Sequence, residues 1–125
     1  MRIILFIASF GALGCTTRYL LAGWVSGLFG GRMPYPYGTF AVNVLGAFLI
    51  GVVMELSLRG AVSQELRIGL TAGFLGGFTT FSAFSYETFR LVEDGLFAQA
   101  MLYIFASVAV CVAFTIAGIA LCRSL

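Results

Sequence analysis

Along the chain, apolar residues collect into four long stretches divided by short polar ones. They run from about Ile3 to Ala22, from Gly38 to Leu58, from Ile68 to Arg90, and from just after Glu93-Asp94-Gly95 to about Leu121. A helix that crosses a bilayer uses about 20 apolar residues, so each stretch predicts one transmembrane span and the connections leave no room for an extramembrane domain. Tyr19, Trp24, Tyr35 and Tyr37 crowd the connection after the first span, as amphipathic rings do at the membrane–water boundary. Pro34 and Pro36 keep that connection out of the helix, which sets the second span's start near Gly38. The N-terminal run begins basic but stays apolar through Leu21 and has no Ala-x-Ala cleavage pattern, so it is expected to be a retained span. The fold expected is all-α and integral to the membrane, with residues 1–125 forming a single domain of four transmembrane helices.

Composition narrows the function. Of 125 residues 61% are hydrophobic and 10% charged, with a mean hydropathy of +1.06, against roughly 25% charged in soluble proteins; this excludes a water-soluble domain. The seven basic residues are all arginine and stand singly, so no nucleic-acid partner is expected. There is no histidine, and Cys15, Cys111 and Cys122 sit far apart in apolar sequence, a pattern of packing residues rather than of disulfides or a metal cluster. The absence of lysine and of a Gly-x-x-x-x-Gly-Lys-Ser/Thr loop excludes an ATP-driven pump.

Four spans place both termini on one side. Arg2, Arg59, Arg67 and Arg123 then lie on the terminal side, with Arg18, Arg32 and Arg90 opposite. Arginine asymmetry orients a chain during insertion, and here it is small. Insertion in both orientations and pairing with an inverted copy is one expectation; a single orientation set by the one-charge bias is the other.

The third span carries the unusual sequence. Gly69, Gly73 and Gly77 fall on one helical face and predict a close helix contact. Gly76-Gly77 and Thr79-Thr80 lie mid-span, where glycine entropy and threonine branching weaken a helix. A mid-membrane break is expected, and the carbonyls it frees need protein, water or an ion; in an inverted dimer they can converge on one small cation such as sodium. The bland alternative is an unbroken helix. Phe78, Phe81 and Phe84 recur at spacing three and present ring edges, the positive part of the quadrupole, which suit an anion as well as ordinary packing. Asn43 is an amide deep in the second span that either joins helices or faces a polar path. On the fourth span Tyr103, Ser107, Cys111 and Thr115 recur every fourth residue, a stripe of roughly 18 Å that serves either a halide or interhelical bonding. Arg18 either snorkels to the interface or attracts anions at a pore mouth, and Glu87 reads as an interfacial charge.

These residues together resemble a known family. Gly14-x-x-x-Arg18-Tyr19, then Gly38-Thr39-Phe40-x-x-Asn43-x-x-Gly46, then the long string from Gly73 through Thr79-Thr80-Phe81-Ser82-x-Phe84-Ser85-x-Glu87, are similar to the small bacterial fluoride channels of the Fluc type. The resemblance covers all four spans in order and implies a dual-topology antiparallel homodimer in the bacterial cytoplasmic (inner) membrane, with two pores that export fluoride passively. It also implies that Asn43, Phe81 and Phe84 line the fluoride path, that Tyr103, Ser107 and Thr115 form a polar track, and that the carbonyls of Gly76 and Thr79 hold a central sodium. Cys111 stands where the family more often has a hydroxyl, and Ala83 where threonine is frequent. Two competitors remain: a small proton-coupled drug exporter, which needs a carboxylate deep in the membrane, and a non-transporting assembly subunit.

Overall fold

The computed structural model describes residues 1–29 and 35–125, all helix and short connections, with no strand among them. Helix α1 spans Arg2–Leu28 and α2 spans Tyr37–Leu58. The third crossing is composite: α3 (Gln64–Ile68), a π-helical stretch Gly69–Leu75, α4 (Gly76–Phe78), an interruption at Thr79-Thr80, and α5 (Phe81–Glu93). Helix α6 spans Phe97–Ser124. Four units, Arg2–Leu28, Tyr37–Leu58, Gln64–Glu93 and Phe97–Ser124, are long and apolar enough to cross a membrane, so the chain is a multi-pass membrane protein.

The boundaries differ from the sequence expectation in instructive places. α1 continues past Ala22 to Leu28, so Tyr19 and Trp24 project from a helix rather than a loop. Gly23 and Gly27 weaken a helix without breaking it when no proline follows at once. Pro34 and Arg32 lie outside the described residues. The third crossing starts at Gln64, four residues before Ile68, because the Ser63 hydroxyl accepts from the Leu66 amide at 3.3 Å and caps a polar first turn. It ends at Glu93, and Gly95, at φ +75°, makes the reversal into α6.

Two parallel helix pairs make the framework, as an even number of crossings requires. In the α2–α6 pair, the Thr115 hydroxyl donates to the Ala47 carbonyl at 2.9 Å and the Cys122 thiol to the Val52 carbonyl at 3.8 Å, contacts that advance together along both helices. A Cβ on Gly51 would overlap the Thr115 carbonyl, and one on Gly118 the Phe48 carbonyl, so backbone touches backbone there. At the terminal end Glu55 is buried and bridges Arg123 at 3.2 Å and Arg59 at 3.5 Å. In the other pair, Gly69, Gly73 and Gly77 all face α1, meeting Phe6, Phe10 and the Gly11 carbonyl, while Gly14 returns the contact against the Phe74 carbonyl. The three-glycine face thus forms the close contact expected of it.

Inside the third crossing the Thr71 hydroxyl donates to the Arg67 carbonyl at 2.8 Å. That carbonyl is the acceptor an α-helix would offer the Thr71 amide, and its side-chain bond accompanies the shift to π-helical pairing. Fully buried apolar side chains are few, with Val42, Phe78 and Tyr103 the largest. Leu13, Leu20, Phe105, Val108, Val112 and many others point outward, an apolar exterior that suits lipid.

Close backbone approach makes a specific expectation. Gly118→Val should lower the unfolding free energy in detergent by about 1–3 kcal/mol, because the new methyls overlap α2. Gly27→Ala, where no atom lies within 4 Å of an added Cβ, should be neutral or stabilise by up to about 1 kcal/mol. Equal thermal shifts for the two variants would contradict the α2–α6 packing.

Candidate functional site: a cavity at the helix break

The interruption in the third crossing is built by side chains. Thr79 (φ −88°, ψ 157°) and Thr80 (φ −149°, ψ 121°) leave the helical region together. Both are β-branched and tolerate extended backbone well. Across from them, Asn43 exchanges two hydrogen bonds with Thr80: its Nδ2 donates to the Thr80 carbonyl at 3.1 Å, and its Oδ1 accepts the Thr80 amide at 2.8 Å. The asparagine oxygen thus replaces the helical acceptor that the Thr80 amide lost, and its Nδ2 adds a second donor to the Thr80 carbonyl. One N–H of Nδ2 stays outside this exchange. Gly46, one turn beyond Asn43, makes the approach possible, since a Cβ there would overlap the Thr79 methyl. The Thr80 hydroxyl caps α5 by accepting from the Ala83 amide at 3.2 Å.

These bonds select which carbonyls are released. In a continuous helix the Thr80 amide would bond the Gly76 carbonyl, and the Ala83 amide the Thr79 carbonyl. Here the first goes to Asn43 and the second to the Thr80 hydroxyl. The carbonyls of Gly76 and Thr79 are therefore freed from the helical ladder, and Gly76 is exposed.

A cavity of about 490 Å³ opens beside the break. α2 contributes Asn43, Gly46 and Ala47; the third crossing contributes Thr71, Leu75, Gly76, Thr79 and Thr80 and then, from α5, Phe81 and Phe84; α6 contributes Ser107, Cys111 and Thr115. Residues that sequence reasoning singled out on three separate spans share one wall. The Phe81 and Phe84 rings lie 5.4 Å apart at 42°, and Phe81 is 79% exposed. Ser107 is buried, and its Oγ has no partner among the described residues. No acidic or basic side chain lines the cavity among the described residues.

Two of the expected residues stand apart from it. Tyr103 is wholly buried one turn before Ser107, packed 5.0 Å from the Phe84 ring and 5.2 Å from Tyr35, and its hydroxyl donates to Glu87 Oε2 at 2.8 Å. Arg18 lines a second recess of about 440 Å³ with Thr39, Thr80, Ser82 and Ala83, on another side of the same threonine. Burial, aided by neighbouring Tyr37, holds the Tyr35 phenol above its ordinary value.

Glu87 is more than an interfacial charge. Its Oε1 also accepts from the Thr39 hydroxyl at 2.6 Å, so it joins α2, α5 and α6 at one end of the cavity. The spacing held a signal for both partners: Thr39 lies one turn before Asn43, and Glu87 three residues after Phe84. Thr71 was also missed; only the tertiary arrangement places it in the same cavity lining as Asn43.

A multi-pass membrane protein whose one interrupted helix borders an uncharged, polar-and-aromatic cavity belongs in form with channels and carriers. A family model described as "CrcB-like protein, Camphor Resistance (CrcB)" matches residues 5–119. A protein of Geobacter sulfurreducens named "Fluoride-specific ion channel FluC" is 62% identical, and one of the same name from Geotalea uraniireducens is 60% identical, each match covering all of both chains. The corresponding protein of Geobacter metallireducens is likewise 62% identical over the whole of both chains. The chain belongs to the CrcB family, whose relatives carry the name of a channel rather than an enzyme.

Replacing Asn43 by Ala should leave the part-buried N–H of Thr80 unpaired, at a cost of about 1–3 kcal/mol. Faster amide exchange at Thr80 and Phe81, with a lowered melting temperature in detergent, is the expected result; unchanged exchange would mean the Asn43 clamp does not hold the break.

Proposed function

We propose that this protein is a fluoride-specific ion channel that lets cytoplasmic fluoride leave passively, down its electrochemical gradient, and so lowers fluoride toxicity. The observation that carries the reading is Asn43: an amide fixed against the helix break, with an N–H left over, in a cavity walled by Phe81, Phe84 and the unpartnered Ser107 hydroxyl. A small anion needs replacements for its water shell, which here are N–H, O–H and aromatic ring edges. A fixed positive charge in low dielectric would hold the anion too firmly to pass it on, and the lining has none. Thr115 continues the α6 stripe along the wall with its hydroxyl proton given to the Ala47 carbonyl, and Tyr103 stands at the Glu87 end, packed on Phe84. Arg18, half-buried in the neighbouring recess, raises the local anion concentration from outside the narrow part.

The functional unit we propose is an antiparallel dual-topology homodimer of one-domain chains in the bacterial inner membrane, supported by the four-to-three arginine distribution. Its centre suits a sodium ion. The released carbonyls of Gly76, which is exposed, and Thr79, which is partly buried, are hard, uncharged oxygen donors on the third crossing. Two carbonyls from one chain are too few for a cation site, and an inverted copy doubles them. Bound there, sodium would lock the two breaks together.

A proton-coupled exporter is less well supported. It needs a titratable carboxylate facing the substrate, whereas both Glu87 oxygens accept hydrogen bonds from Thr39 and Tyr103.

Proteoliposomes loaded with fluoride should release it, as read by a fluoride electrode, with purified protein alone. Asn43→Asp should cut the rate at least tenfold, roughly the effect of exchanging a donor for a repelling acceptor, and Phe84→Ile should slow release without loss of folding. Folded protein that releases no fluoride would overturn the channel reading. For the assembly, a tag at the C-terminus should be accessible from both faces of the membrane in similar amounts; accessibility from one face alone would overturn dual topology.

A further inference from the structure

We propose that Arg59 and Arg123, pinned by the buried Glu55, bind the phosphate of an anionic phospholipid headgroup where α2 and α6 end. The arginines stand singly along the chain, yet folding brings these two, distant in sequence, onto one carboxylate. Glu55 is 8% exposed, and each of its oxygens takes a different partner: Oε1 lies 3.5 Å from Arg59 Nε and Oε2 3.2 Å from Arg123 Nε. Arg59 follows the last residue of α2 and Arg123 lies in the last turn of α6, so the cluster joins two neighbouring helix ends.

The atoms that Glu55 leaves free make this a phosphate site. Both ion pairs use Nε, the inner nitrogen of the guanidinium, and neither arginine forms another ion pair among the described residues. The terminal nitrogens, Nη1 and Nη2, with their N–H donors, stand outside these contacts. The arginine side chains are 40% and 66% exposed against 10% for the carboxylate, so the forks face outward while their inner edge is anchored. One buried negative charge beneath two outer positive ones leaves an excess of positive charge at the surface. Planar guanidinium forks match phosphate oxygens, and holding them in place beforehand removes part of the ordering cost that a freely rotating arginine bears on binding.

Position commits the site to a lipid rather than a dissolved anion. Both α2 and α6 are long and apolar enough to cross a membrane, which puts their ends at headgroup level. On the membrane side of the arginine pair, Met54 and Leu58 form one exposed ridge on α2, and Leu121 is exposed on α6. Acyl chains lie on these apolar side chains while the phosphate rests on the two forks. A lipid of net negative charge is favoured, because a zwitterionic headgroup brings its own ammonium group up against the same arginines. The proposal stands apart from the channel reading, since none of these residues lines the cavity.

The test titrates the full chain in detergent with phosphatidylglycerol and reads retained lipid by native mass spectrometry. The native chain should hold one phosphatidylglycerol per chain and melt at a higher temperature with it, and phosphatidylcholine should do neither. Removing both arginines alone would strand the Glu55 carboxylate, so the test variant combines Arg59→Gln and Arg123→Gln with Glu55→Gln. It should bind phosphatidylglycerol at least tenfold more weakly, roughly what two arginines at a membrane surface contribute. Arg2→Gln, which removes one charge from the same side, should bind as the native chain does. If the triple variant does not fold, Arg59→Lys with Arg123→Lys keeps both charges but loses the forks, and it should weaken binding too. Undiminished binding by the folded variant, equal weakening by Arg2→Gln, or equal retention of phosphatidylcholine overturns the proposal. The same thermal shift with glycerol 3-phosphate, which has the headgroup phosphate and no chains, would mean a site for dissolved anions and overturn the assignment to a lipid.

Discussion

Backbone inside a bilayer has no water to fall back on, and the pairing of Asn43 with Thr80 is this protein's answer to that constraint. A helix interrupted at Thr79-Thr80 would otherwise strand polar groups at membrane depth, each at a cost of several kcal/mol. By taking both the N–H and the C=O of Thr80, one amide side chain makes the interruption stable. It also decides where the unpaired groups end up. The donors that would have closed the ladder are diverted to Asn43 and the Thr80 hydroxyl, and the carbonyls of Gly76 and Thr79 are left without them.

The rest of the fold can be understood as what allows that pairing. Gly46 removes the side chain that would hold Thr79 away from α2. Gly14, Gly69, Gly73 and Gly77 seat the first half of the third crossing on α1, and Gly51 with Gly118 lock α2 to α6. Ser107, Cys111 and Thr115 of α6 are thereby held in the same cavity lining as Asn43. Close packing of glycine faces, rather than a large apolar core, sets the geometry, which accords with a setting where lipid is as apolar as the side chains themselves. The Glu87 bonds to Thr39 and Tyr103 then fasten α5, beyond the break, to α2 and α6.

Mixed chemistry follows from the mixed origins of the cavity wall. Different elements supply different contacts: an amide from α2, aromatic rings from α5, hydroxyls and a thiol from α6. None is strong by itself, and a path that must release what it binds needs weak contacts in series.

Much of this was legible along the chain, for identifiable reasons. Four apolar stretches of bilayer length mean four crossings whatever their packing, because backbone desolvation leaves no alternative. The weakness of the helix at Gly76 to Thr80 is likewise local, a matter of glycine entropy and threonine branching, and the spacing of Gly69, Gly73 and Gly77 specifies a face by periodicity alone. Partners are another matter. That Asn43 closes on Thr80, that Glu87 takes Thr39 and Tyr103, and that Tyr103 leaves the cavity its stripe-mates line, depend on how three helices rotate against one another. Periodicity assigns a side chain to a face of its own helix; which neighbour that face meets is settled by long-range packing, and no local propensity encodes it.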